Sequence, residues 1–523
     1  MRAVTETRAP PRSIARPAGA RALLAGLAAG TLAGCTLGPN FAAPKPAVPA
    51  DWTAVAMRGG ATRESAVTQA PPVVEWWKSF RDPLLTSLIR RSLAANLDLR
   101  AAVLRIGEAM EERDVAAAGL WPSLSGNAGF TRQRFSLYTP NGALFGSGLH
   151  FPGLPAGVSI TNPFNQYQLG LGASWEIDLF GQLRRAVEAA NAEVKATVDQ
   201  ARGVKLSLAS DVAGAYINLR GAQLRRSIIL KSLATERGVL ALTQQRWDAG
   251  LTAYIDVANA RGELDSTAAQ LPPAEREITF DVNQLGELMN LEPGALSTEL
   301  AQSKPVPPVP PSVPIGLPAE LARRRPDVEQ AEAELHAATA RVGVAVASLF
   351  PQLTLNAAGG FQSEGLSDLV LAASRFATLG PSIQLPIFEG GALRATVRLR
   401  TLQAKEAAVD YARTVLGALN EVEDALAAYG ADQDRRVKLI AAVAESTSAL
   451  RLAKQRYAGG ITSFIEVLDA ERTLEQNELA LADTTTAVST DLVQLYKTLG
   501  GGWQTGPAAP APAPGAPQSG HHS

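Results

Sequence analysis

The stretch QYQLGLGASWEID, residues 166–178, changes side-chain character at every step. Tyr167, Leu169, Leu171, Ala173, Trp175 and Ile177 alternate with Gln166, Gln168, Ser174, Glu176 and Asp178. A period of two predicts a strand with one apolar and one wet face. The same alternation marks 122–131, 351–361 and 379–388. Each segment has about 10 residues, the length a tilted strand needs to cross an outer membrane. A soluble sheet with one wet face would alternate in the same way, so the flanks decide. Neither Gln182–Leu271 nor Ile387–Gly506 contains a proline, and both are rich in Ala, Leu, Gln, Arg and Glu. Such runs predict very long helices, roughly 100 Å from Gln182 to the Gly250 region at 1.5 Å per residue. Their apolar stripes must pack on neighbouring helices as in a coiled coil. Four strands cannot close a membrane barrel, which starts at about eight, and open edges in lipid leave backbone groups unpaired. The pattern therefore predicts an oligomeric barrel continued by an elongated helical assembly.

Composition narrows the chemistry. The 523 residues carry 49 Lys+Arg against 50 Asp+Glu, a balance of −1 that gives no electrostatic footprint for nucleic acid. One cysteine, Cys35, and four histidines, His150, His336, His521 and His522, exclude an internal disulfide and a Cys/His zinc cluster. His336, among Ala and Glu on a predicted helix, reads as a surface residue.

The N-terminus accounts for the cysteine. Arg2, Arg8, Arg12, Arg16 and Arg21 precede a short apolar run from Leu23 to Leu32, the pattern of a secretory signal peptide over 1–34. Leu32-Ala33-Gly34-Cys35 resembles the bacterial lipobox, in which the thiol is lipidated and the cysteine becomes the first mature residue. Thr36 in place of Asp goes, in such lipoproteins, with sorting to the outer membrane. Each buried acyl methylene contributes about 0.8 kcal/mol, so several chains anchor firmly. Cys35 is thus the expected lipid attachment point, and no other cofactor and no metal is expected. No later stretch reaches about 18 consecutive apolar residues, so no transmembrane helix is predicted.

The mature chain repeats itself. Trp121-Pro122-Ser123-Leu124 matches Phe350-Pro351-Gln352-Leu353, and Gln245-Arg246-Trp247-Asp248-Ala249-Gly250 matches Gln455-Arg456-Tyr457-Ala458-Gly459-Gly460 at an offset of 210. A Gly/Pro/Asn-rich insertion around Tyr138–Pro163 reads as a long exposed loop. Ser303–Pro318 holds seven prolines and suits an extended connector. The expected organisation is a lipidated N-terminus, collar and first-half helix over 35–120, a β-hairpin over 121–180 and a long helical hairpin over 181–302. After the connector (303–318) come a helix over 319–349, a second β-hairpin over 350–388 and a second helical hairpin over 389–503. A Pro/Ala-rich tail over 504–523 reads as disordered.

At this level of detail the chain resembles the TolC-like outer-membrane factors, in their NodT-type lipoprotein branch that partners resistance-nodulation-division transporters. The matching residues are Cys35-Thr36-Leu37-Gly38-Pro39-Asn40-Phe41, Trp76-Trp77 with Phe80-Arg81-Asp82-Pro83-Leu84, Arg323-Arg324-Arg325-Pro326-Asp327-Val328, and the two Arg-x-x-x-Gly tips. The resemblance implies a mixed α/β membrane protein. It would be a homotrimer with a 12-stranded β-barrel, four strands per chain, continued by a long periplasmic α-helical barrel, internally duplicated. It further implies the outer membrane of a Gram-negative bacterium, lipid anchoring with a periplasmic extension, a periplasmic adaptor (membrane fusion) protein and an inner-membrane transporter as partners. The implied function is passive exit of substrates from a tripartite efflux pump. An exit duct for type I protein secretion has the same architecture, and a periplasmic coiled-coil lipoprotein without a channel is the other alternative.

Individual residues then acquire candidate roles. Pro326 and Asp327 suit a helix start, a local role sufficient for their motif. Gly250 and Gly460 sit where the long helices reverse, and Thr252 and Thr462 are candidate N-caps. By resemblance these tips face the adaptor. Arg246 and Arg456, one turn earlier, either bind carbonyls at their own helix ends or reach the adaptor. Ile465 and Asp469, at i and i+4 on one helix face, match the family's periplasmic gate. In a trimer they would make an apolar constriction and a carboxylate ring. Asp469 as a solvated helix carboxylate is the plainer alternative, and Asn259 replaces it in the first half. Ser463-Phe464-Ile465-Glu466 spells a capping box, which gives Glu466 a local task. No phosphate loop, Gly-x-Ser-x-Gly or His-Glu-x-x-His appears, so no catalytic residues are expected.

Overall fold

The computed structural model describes residues 36–45, 48–53, 65–139, 162–321 and 324–504. Cys35, the expected signal segment over 1–34, Arg323, most of the Tyr138–Pro163 insertion, His150, His521, His522 and the tail after Gln504 lie outside the described residues. The chain divides into two compact units.

The first unit comprises the described parts of Met1–Phe41, Glu112–Asn191 and His336–Ala404. It holds β2 (Ser123–Gln133), β3 (Phe164–Ile177), β5 (Gln352–Ser363) and β6 (Arg375–Gln384) in one antiparallel sheet of order β2-β3-β5-β6; β1 and β4 belong to the second unit. The fourth strand starts earlier than the expected 379–388 and stops before Pro386. Pro381 is accommodated within it because β6 is an edge strand with one unpaired side. Register aligns Leu124, Ala173, Ala357 and Leu379 in one cross-strand row, flanked by Phe130–Tyr167 and Trp175–Leu355 on the same face. Leu124, Leu171, Leu379 and Ile383 on this face are largely exposed. The other face carries Ser123, Ser174 and Asn356, where the Ser174 hydroxyl donates to Asn356 Oδ1 at 3.0 Å.

The N-terminal motif is clamped beside this sheet. Leu37 N–H donates to Phe180 O at 3.2 Å, and Arg185 donates to Leu37 O at 3.2 Å and Asn40 Oδ1 at 2.6 Å. Gly38 has φ +90° and lies so close to Gly343 that a Cβ would come within 2.5 Å of its Cα. His336 corrects its surface reading. It is half-buried, stacked on Phe41 at 4.4 Å, with Nε2 3.0 Å from Glu188. The alternation of Ala and Glu around it hid a partner 295 positions earlier in the chain.

The second unit comprises the described parts of Ala42–Glu111, Ala192–Leu335 and Lys405–Ser523. Its elements are β1 (Ala66–Thr68), α1 (Pro83–Ala95) and most of α2 (Leu97–Ala118). They continue with the greater part of α3 (Gln182–Asp248), then α4 (Tyr254–Ala268), α5 (Leu271–Leu288) and α6 (Ser297–Leu300). Next come β4 (Ser312–Pro314), α7 (Pro318–Leu321) and the start of α8 (Pro326–Ala347). Most of α9 (Ala392–Ala458) and all of α10 (Phe464–Thr498) complete it. Helices α3 and α9 each run 67 residues, as their proline-free composition requires. The Pro-rich connector is extended but contributes β4 to a parallel pair with β1. Among the described residues no helix is long and apolar enough to cross a membrane.

The two return limbs differ. Helix α10 is continuous over 35 residues, whereas the first limb is interrupted at Ala269 and Gln270 between α4 and α5. Pro272 and Pro273 have no N–H to offer the carbonyls four residues back, at Ala268 and Ala269.

The remaining motifs are structural. Trp76 stacks on Tyr496 at 5.3 Å and donates to Gly501 O at 3.1 Å. Asp82 caps α1 through Leu84 N at 2.8 Å and accepts Tyr216 OH at 2.7 Å. Arg325, 8 % exposed, holds Asp327 and Glu421, each at 2.7 Å, and Thr498 O at 3.2 Å.

Candidate functional site

Both hairpin tips are built alike. At the first, Leu251 N–H donates to Arg246 O and Gly250 N–H to Trp247 O, each at 2.8 Å. At the second, Ile461 N–H donates to Arg456 O at 2.9 Å and Gly460 N–H to Tyr457 O at 3.0 Å. Gly250 (φ 72°) and Gly460 (φ 71°) take the left-handed conformation that ends a helix this way.

The threonine caps are not formed. Ala253 and Ser463 occupy the N-cap positions, neither with a side-chain capping bond. Each reversal takes one residue more than the Thr assignment allowed. Thr252 instead donates to Asp256 Oδ2, and Thr462 Oγ1 is buried without a hydrogen-bond partner. The capping box of Ser463 and Glu466 is likewise absent from the hydroxyl side. Ser463 offers only its backbone carbonyl, to Glu466 N–H at 3.3 Å.

Arg246 does something the sequence did not suggest. Its guanidinium lies over the Tyr457 ring, 4.6 Å from the centroid, and donates to Tyr457 O at 3.2 Å. It therefore serves the end of α9 rather than that of its own helix. Arg456 is exposed. Behind the second tip Tyr457, Phe464, Val467 and Leu468 form a core with Ala260 and Ala453. Ile465, 63 % exposed, and Asp469, also exposed, face away from it. Arg472 stands one turn beyond Asp469 within electrostatic reach, and its Nε donates to Glu263 Oε2 at 2.8 Å. The Asp469 charge thus has a neighbouring cation, readable in principle from the i, i+3 spacing.

Above the tips Glu236 of α3, Glu263 of α4 and Glu475 of α10 bring carboxylate oxygens within 4.8 Å of one another. Glu236 accepts Thr267 Oγ1 at 2.9 Å through Oε1, while Oε2 has no hydrogen-bond partner. Burial, then the charges of Glu475, Glu471 and Glu263, push the Glu236 carboxyl up to about 7. Burial likewise raises Glu475. The cluster can hold a shared proton, and three carboxylates are also a donor set a divalent cation accepts. No sequence motif announces it, since its members come from three helices.

Residues 88–291 and 317–501 match the family described as Outer membrane efflux protein. Nodulation protein T of Rhizobium leguminosarum bv. trifolii is 31% identical over 459 residues, covering 86% of this chain and 91% of that protein. The solvent efflux pump outer membrane protein SrpC of Pseudomonas putida is 32% identical over 477 residues, covering 90% and 96%. The solved outer-membrane channel OprN superposes with a TM-score of 0.81 at 34% identity, covering 90% of this chain and all of that one.

Proposed function

The chain belongs to the outer membrane efflux protein family, a family of channels and not of enzymes, and from that premise we propose that it is the exit duct of a tripartite efflux pump. The observation that carries the reading is the four-stranded sheet, with an apolar row exposed on one face, a polar row on the other, and both edges open. In lipid such edges require partners, and three copies supply twelve strands.

The finer reading follows from the residues. Cys35 carries the lipid anchor, adjoining Thr36, which packs against Gly181 immediately before α3. The tips around Gly250, Thr252, Gly460 and Thr462 meet the hairpins of a periplasmic adaptor, with Arg246 and Arg456 at the same level. The adaptor joins the duct to an inner-membrane transporter of the resistance-nodulation-division class. Ile465 and Asp469, turned away from the hairpin core, constrict the resting duct. Contact at the tips lets the helices splay, and substrate leaves down its gradient with no catalytic step.

Purified protein in planar bilayers tests this. The expected result is cation-preferring single-channel current from a cross-linkable trimer. A protein that binds bilayers through its lipid yet never conducts, even with an adaptor added, would instead be a scaffold.

A further inference from the structure

We propose that Arg456 seats on the Trp247 ring of a second copy of the chain, repeating between copies the contact that Arg246 makes with Tyr457 within one. The proposal rests on the self-association read above and assigns residues to it.

The two tips are equivalent residue by residue. QRWDAGLTAYIDVANA (245–260) and QRYAGGITSFIEVLDA (455–470) align without a gap at an offset of 210. The equivalence holds in space. Trp247 and Tyr254 stand 5.6 Å apart, and their counterparts Tyr457 and Phe464 stand 5.7 Å apart. Higher up, Thr267 donates to Glu236 at 2.9 Å, and the equivalent Asn477 donates to Ser446 at 2.6 Å.

Their surroundings differ. Tyr457 and Phe464 are 5% and 2% exposed, whereas Trp247 and Tyr254 are 42% and 56% exposed. What covers the second pair is the first hairpin, through Arg246 and Ala260. The counterpart of Arg246 is Arg456, which is exposed. At its two tips each chain therefore has one cation seated on one aromatic ring, with a second cation and a second ring of the same kind left over. Two unlike patches that complement each other make a head-to-tail interface, the kind that closes into a ring.

The chemistry of the unfilled seat matches the filled one. An indole is the strongest aromatic partner for a guanidinium. The Tyr457 carbonyl, at a helix C-terminus, accepts both Gly460 N–H and Arg246, whereas the Trp247 carbonyl accepts Gly250 N–H and has the equivalent position open.

A short bis-maleimide applied to outer membranes tests the pairing. Trp247→Cys with Arg456→Cys is expected to give covalent dimers and trimers on denaturing gels. Arg246→Cys with Tyr457→Cys bridges within one chain and stays monomer-sized, and the single variants set the background. Glutaraldehyde on the same membranes reports association independently. Trimers by glutaraldehyde with only monomers by bis-maleimide overturn the contact, and no trimers by either reagent overturn the association itself. Conductance gives a reading that does not depend on the cysteine pairs. Arg456→Ala and Trp247→Ala should each raise open probability severalfold, and the double variant no further than the larger single effect. Additive effects overturn the proposal.

Discussion

The Phe376 ring covers Gly170 from two strands away, its Cζ 3.5 Å from the point a Cβ on Gly170 would occupy. Between them, in the cross-strand row Asn127, Gly170, Gly360 and Phe376, a Cβ on Gly360 would stand 2.2 Å from Leu169 O and 2.5 Å from Gly170 Cα. An aromatic side chain laid over glycines restores the packing they lack. Because β3 and β5 join the two repeats, this row fixes how closely the hairpins approach. Gly360→Ala is expected to force them apart at about 1–3 kcal/mol, the usual range for overpacking, and to reduce recovery of folded protein about tenfold. Gly359→Ala, whose Cβ would meet nothing closer than 3.6 Å, should leave recovery unchanged. Heat-modifiability on gels reads both.

Glu236 makes stability depend on pH. Its carboxyl is raised from 4.5 to about 7, so between those values the folded chain holds a proton that the unfolded chain releases. That contribution is complete below about 4.5 and is lost as pH rises through about 7. Melting in detergent should therefore fall from pH 5 to pH 8. Glu236→Gln, which keeps an acceptor for Thr267, should remove up to about 3 kcal/mol of the difference. An unchanged pH profile in that variant would refute the assignment; Glu475, raised beside it, and Asp281 and Asp491, raised to about 7, would account for any remaining slope.

Arg325 ties the start of α8 to Glu421 of α9 and to the last turn of α10. Arg325→Ala should cost about 2–4 kcal/mol, since it leaves Thr498 O and two carboxylates without their shared donor. Arg325→Lys should recover only part of this, because a single ammonium cannot reproduce the bidentate grip on Asp327. Denaturant midpoints would separate the three proteins.

If Ile465 and Asp469 form the gate proposed above, Asp469→Ala together with Ile465→Ala should raise single-channel conductance and weaken cation preference. Arg472→Ala, by removing the neighbouring cation, should strengthen that preference. Unchanged current and selectivity in the double variant would place the gate elsewhere.

Periodicity made the strands and long helices legible, since alternation at 166–178 and proline-free runs report local geometry directly. The tips were legible as turns through Gly250 and Gly460. Their finer chemistry was not. Thr252 and Thr462 looked like caps because residue type was the only guide, while the chain placed Ala253 and Ser463 there. Arg246 on Tyr457, His336 on Phe41 and the three glutamates join residues far apart in sequence, and no local period encodes such meetings. Duplication was the exception, a long-range relation visible in the letters themselves.

The broken first limb and the unbroken α10 give the two repeats different mechanics. A continuous helix carries torque from tip to base, whereas a limb lacking hydrogen bonds at Ala268 and Ala269 O is a compliant joint. An equal pull on both tips would not move them equally. The first hairpin would bend while the second held its line, so widening would proceed as an iris with alternating soft and rigid leaves.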